Sequence, residues 1–96
     1  MEKRIGAAII LIQEKTSIPE LNAILNVHSD IIIARQGLPL SDRNLNIISL
    51  VLEGTTNDIS SLTGKIGKLK GIQVKSVLTK QNVENGNKKN LGTTGH

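Results

Sequence analysis

Residues 5–12 read Ile-Gly-Ala-Ala-Ile-Ile-Leu-Ile, an apolar run with no polar break, set between Arg4 and Gln13-Glu14-Lys15. No other stretch constrains the fold as strongly. It is far short of the about 20 apolar residues that a membrane-crossing helix needs. As a strand it has no wet side. A strand in a one-sided sheet alternates apolar and polar residues, whereas a continuous run marks a strand covered on both faces. A second run, Asn44-Leu45-Asn46-Ile47-Ile48-Ser49-Leu50-Val51-Leu52-Glu53, is nearly as continuous and makes the same demand. The rest of the chain has to supply the cover.

Between the two runs, Ser17-Ile18-Pro19-Glu20 has the marks of a helix start. Ser17 is a cap residue, Pro19 suits the first turn, and Glu20 follows Ser17 at capping-box spacing. Ile18, Leu21 and Leu25, with Ile24 beside them, form one helical stripe. The helix is expected to fade at Val27-His28-Ser29. The β-branched Ile31-Ile32-Ile33-Ala34-Arg35-Gln36 predicts a short second strand. Gly37 and Pro39 punctuate residues 37–42, which read as turn and loop.

After the third strand, residues 54–58 lead into a second helix capped at Thr56 or Asn57. Its stripe is Ile59, Leu62, Ile66 and Leu69. Lys65, Lys68 and Lys70 crowd its C-terminal end, where positive charge complements the helix dipole, and Gly71 suits the stop. Residues 72–78 begin in strict alternation, so the fourth strand has one wet face. From Gln81 onward the only apolar side chains are Val83 and Leu91. Residues 81–96 are expected to form a disordered tail behind a single domain of residues 1–80, because they bury too little to offset their ordering entropy.

The halves repeat. Ile18, Leu21, Leu25 and His28 align with Ile59, Leu62, Ile66 and Leu69, and Ile31 and Ile33 align with Ile72 and Val74. Strand-helix-strand, taken twice with right-handed crossovers, gives an α+β fold of the ferredoxin-like βαββαβ plan. This is a four-stranded antiparallel sheet in the order 4-1-3-2, with two helices on one face. The central strands of that order are the first and third, the two that lack polar faces. With both helices on one side, the other face is left apolar. A homodimer or homotetramer built through the sheet is therefore expected.

Composition removes several functions. The chain has no Cys and no aromatic residue. Thiolate metal sites, Cys nucleophiles, aromatic cages and base-stacking platforms are excluded. A formal charge of +4 is too small to mark a nucleic-acid binder. No Ser-His-Asp set or acid pair presents itself, so no enzyme activity is expected, and no cofactor or metal. The short apolar run lacks a signal-peptide cleavage site, which makes a soluble cytoplasmic protein the expectation.

The loop Gln13-Glu14-Lys15-Thr16-Ser17 opens onto a helix N-terminus, whose free N–H groups and dipole suit a small anion or an amino-acid carboxylate. Glu14, Lys15, Thr16 and Ser17 are the ligand-binding candidates there, beside the reading of an ordinary capped loop. His28 aligns with Leu69 and reads as a half-buried residue or helix C-cap, or as a ligand contact shared between subunits. Arg35, on the second strand, either guards an edge against aggregation or holds an anionic ligand.

The segments Glu2-Lys3-Arg4-Ile5-Gly6, Val27-His28-Ser29-Asp30-Ile31-Ile32-Ile33-Ala34-Arg35-Gln36-Gly37-Leu38-Pro39, Ile47-Ile48-Ser49-Leu50-Val51-Leu52-Glu53-Gly54 and Leu62-Thr63-Gly64-Lys65-Ile66-Gly67-Lys68-Leu69 resemble a family of small bacterial proteins known as iron-only hydrogenase system regulators. That family is similar to ACT-type regulatory domains and to the ligand-sensing domain of the nickel-responsive repressor. The resemblance implies a regulatory role, oligomers built through sheets, and a transcription or hydrogenase-maturation protein as partner. The repressor's His-x-His pair and Cys have no counterpart here, and direct DNA binding is not expected. The alternative to a ligand-sensing module is a structural partner-binding protein without a small ligand.

Overall fold

The computed structural model describes residues 2–82. Strand β1 (Arg4–Ile12) passes through a 3₁₀ turn, Lys15–Ser17, into helix α1 (Ile18–Val27). A second 3₁₀ turn, Ser29–Ile31, leads to β2 (Ile32–Leu40), and a third, Ser41–Arg43, to β3 (Leu45–Gly54). Helix α2 (Thr56–Gly67) and β4 (Ile72–Asn82) complete the chain. The sheet order is β2-β3-β1-β4 with every pair antiparallel, which is the expected 4-1-3-2 order read from the other edge.

The register of the central pair explains the two apolar runs. Ala8 lies opposite Leu50 and Ile10 opposite Ile48, with all four side chains buried, and Gly6 lies opposite buried Leu52. Leu21 and Leu25 of α1 and Ile59, Leu62 and Ile66 of α2 close over them, so the stripes read from the sequence are the ones that pack. Each such side chain contributes about 1.5–3 kcal/mol on leaving water. Alternate residues of the same strands face the other way. There Ile9 is 46% exposed and Val51 41%, flanked by Leu38 at 52% on β2 and Val77 at 68% on β4. The described residues cover one face of the sheet and leave this second one open.

Four expectations change at element boundaries. Ser17 makes no capping hydrogen bond; its buried hydroxyl donates instead to the Lys70 carbonyl at 2.8 Å, so the Ser17–Glu20 box does not form. Helix α2 is capped by Thr55 rather than Thr56 or Asn57. The Asp58 N–H donates to Thr55 Oγ1 and the Thr55 N–H to Asp58 Oδ2, both at 3.1 Å, which makes a reciprocal capping box. Strand β2 does not stop at Gln36. It continues through Gly37, Leu38 and Pro39 to Leu40, pairing Gly37 with Ile48 and Pro39 with Asn46. β2 lies at the sheet edge, where proline's missing N–H costs no ladder bond. The reversal falls at residues 41–44, with Asn44 left-handed at φ 53. Finally, β4 runs to Asn82, past the expected domain boundary; the rest of the predicted tail, residues 83–96, lies outside the described residues.

The repeat is also visible in how the ends are tied. The β1–α1 loop is clamped to the turn before β4 by Gln13 N–H donating to the Gly71 carbonyl at 2.8 Å and by the Ser17–Lys70 bond. At the other end, a Cβ added to Gly54 would come 3.1 Å from Ile31 Cγ2 and 3.3 Å from Asp58 Cβ.

Candidate functional site

The six candidate residues fall in three places. Glu14, Lys15, Thr16 and Ser17 share the turn that enters α1. Much of its bonding capacity is used internally. Ser17 N–H donates to the Glu14 carbonyl and Ile18 N–H to the Lys15 carbonyl, while Thr16 Oγ1 donates to Glu14 Oε2 at 3.1 Å. Pro19 adds no N–H to this helix start. Ser17 faces inward, and the exposed side chains of Lys15 and Thr16 are the ones turned to solvent.

His28 lies at the opposite end of α1, as its C-cap. Lys65 Nζ lies 3.2 Å from His28 Nε2. Glu20, Ala23, Ile24 and Val27 border this contact in a shallow groove between the helices. Ten helical residues separate His28 from the entry turn, about 15 Å along the axis, so the two do not share a site within one chain.

Arg35 is the candidate that lines a substantial cavity. It leans from β2 toward α1, where Nη2 donates to Asn22 Oδ1 at 3.1 Å. Arg35 and Asn22 border a cleft of about 380 Å³ with Ile12, Ile18, Gly37, Pro39 and Ile48. This volume lies at the lower end of the usual range for small-molecule sites. Asn46 lines the cleft as well, and Asn22, Gly37 and Asn46 were not marked as site residues by the sequence. The cleft exists because β2 continues where Gly37 and Pro39 read as a loop, so its outer wall was invisible in the pattern.

A further polar pocket, lined by Glu2, Arg4, Thr55, Thr56 and Asn57, lies at the start of α2. There the Thr55 N–H bond, then the Thr55 hydroxyl, hold the Asp58 carboxyl below its ordinary value of 3.8. Among the described residues no three His, Cys, Asp or Glu side chains gather to hold a metal ion, and no helix is long and apolar enough to cross a membrane.

The order of the strands and the single helical layer define a small ferredoxin-like domain. Residues 4–76 match the TM1266-like family, described as "Iron-only hydrogenase system regulator, putative", and the chain belongs to that family. The uncharacterized protein TM1266 from Thermotoga maritima is similar over its whole length, at 34% identity and a TM-score of 0.78, across 82% of this chain. More distant structures share the fold alone. The C-terminal domain of the MgtC protein from Mycobacterium tuberculosis has 10% identity and a TM-score of 0.62, over 82% of this chain and 90% of that one. A formyltetrahydrofolate deformylase from Pseudomonas putida has 5% identity and a TM-score of 0.54, over 75% of this chain and 28% of that one. No curated protein matches the chain.

Proposed function

We propose that this protein is a non-catalytic regulatory module that works as a homodimer or homotetramer assembled through the open face of its sheet. A small anion or amino acid, met near the N-terminal end of α1, favours one assembly over another, and a transcription or hydrogenase-maturation protein reads the result. The observation that carries this reading is the open face itself. Ile9, Val51, Leu38 and Val77 stand exposed on all four strands, on the side that the helices do not reach. A contiguous apolar surface of that kind marks an interaction site in a soluble protein. A closed symmetric oligomer buries it with no second gene product. Family membership supplies the regulatory context.

The test is light scattering and native mass spectrometry on the full chain. The expected species is a dimer or tetramer, and it should fall apart in the Ile9→Lys/Val51→Glu variant while the circular dichroism of the fold is kept. A wild-type monomer at about 100 μM, where even a weak specific interface is populated, overturns the assembly. Retained extra mass in the native spectrum supports the ligand part of the reading; its consistent absence favours a purely structural module.

A further inference from the structure

The cleft beside Arg35 has a specific shape and a specific chemistry. Its wall is the helix-side surface of β2, and the register puts Gly37 on that side, across from buried Ile48. A side chain at Gly37 would enter open space, since a Cβ added there meets nothing within 4 Å. The opening is therefore a consequence of one missing side chain on a strand that runs past the helical cover. Ile12, Ile18 and Ile48 form an aliphatic floor.

The polar end of the cleft offers donors. Arg35 is its one charged residue, and among the described residues no carboxylate comes within 4.0 Å of the guanidinium. A guanidinium has donors only, so the Asn22 amide turns its oxygen toward Arg35 and keeps its NH₂ for another partner. Two donor groups side by side, one of them cationic, match a carboxylate, which is an acceptor with two oxygens and one charge. A second negative charge would lie against the isoleucines without a partner and would carry a desolvation cost.

We propose that this cleft binds a small monocarboxylate with an aliphatic body, its carboxylate held by Arg35 and the Asn22 amide and its body seated on Ile12, Ile18 and Ile48. The proposal rests on the ligand-sensing part of the function above and gives that ligand a place and a chemical class. The probe is 4-methylpentanoate, titrated into the ¹⁵N-labelled full chain while the backbone amides of Asn22, Gly37 and Leu38 are followed. Saturable shifts at these positions are expected, with a dissociation constant on the order of 1 mM for so small a molecule. Arg35→Gln should weaken binding at least about tenfold. Gly37→Leu should abolish it by filling the cleft. The neutral 4-methylpentanamide should not bind.

The proposal is overturned if the shifts do not saturate, if Arg35→Gln or the amide binds as well as the pair it is compared with, or if these amides respond to protein concentration rather than to the probe. The last result would mean that a second copy covers the cleft. Light scattering on the same samples separates the two claims. An oligomer that ignores the probe refutes the cleft alone, and a monomer that binds it refutes the assembly alone.

Discussion

Gly71→Ala should unfold this domain more readily than any other single methyl addition to its turns, and the structure says by how much. Gly71 holds φ +70, a left-handed conformation that costs an L residue about 1–2 kcal/mol. The new Cβ would also fall on the Cβ of Glu14 and 3.1 Å from its backbone nitrogen. Carbon atoms rest at about 3.5–4.0 Å, so the turn must back away from the β1–α1 loop. Two hydrogen bonds resist that movement, Gln13 N–H to the Gly71 carbonyl and Ser17 Oγ to the Lys70 carbonyl, both 2.8 Å. Stretching them forfeits about 1 kcal/mol each at most. The total is about 3 kcal/mol, a large part of the stability of a domain this size. It corresponds to a fall in melting temperature of about 12–24 °C. Urea unfolding at one fixed protein concentration measures it, since assembly would otherwise contribute. The Glu14→Gly/Gly71→Ala double variant should recover about 1–2 kcal/mol, because it removes the clash and leaves the backbone strain. A loss below about 0.5 kcal/mol in Gly71→Ala, within the range of an ordinary surface change, or strict additivity with Glu14→Gly, would refute the reasoning.

Ser17→Ala should cost about 1–2 kcal/mol in the same assay, because it leaves the Lys70 carbonyl without its buried donor. The neighbouring Thr16→Ala should stay within about 0.5 kcal/mol. Thr55→Ala removes the α2 cap and should cost about 1 kcal/mol. The Asp58 carboxyl is held low first by the Thr55 N–H and then by its hydroxyl, so losing the hydroxyl should move the Asp58 titration upward toward 3.8, as read by NMR. A depressed folded value means that Asp58 stabilises the fold above about pH 3.9, the unfolded carboxyl's range, and loses that effect as pH falls through the lower folded value. Asp58→Asn should flatten the acid limb of the stability curve, and an unchanged slope would contradict the assignment. Ile9→Lys/Val51→Glu should shift the elution and scattered mass to the monomer, with the far-ultraviolet spectrum unchanged.

Much of the candidate site was only half legible. Arg35 stood out in the sequence as a charge among β-branched residues, but its cleft did not, because Gly37 and Pro39 carry the local signature of a loop. What overrides that signature is pairing with β3, which holds an edge strand together even where one residue lacks a side chain and another lacks an N–H. Ser17 failed in the opposite direction. Its spacing to Glu20 satisfies a capping box, yet Lys70, distant in sequence, presents a carbonyl that takes the hydroxyl. The cap at Thr55 was missed by one residue because Gly54-Thr55-Thr56-Asn57-Asp58 offers several capping side chains, and only the strand end at Gly54 fixes which one leads.

The sequence by itself determined the plan of the molecule: two strands with no polar face, two helical stripes in matching positions, and hence a sheet in the order 4-1-3-2 with those strands at its centre. That much follows from hydrophobic periodicity, a local property that burial converts directly into position. Tertiary structure decided where the polar groups go. The turn at Gly71 closes on Glu14, the hydroxyl of Ser17 finds Lys70, and Arg35 meets Asn22 across a gap that Gly37 leaves open. Hydrogen bonds and cavities depend on distances between residues far apart in the chain, and no local pattern records those distances.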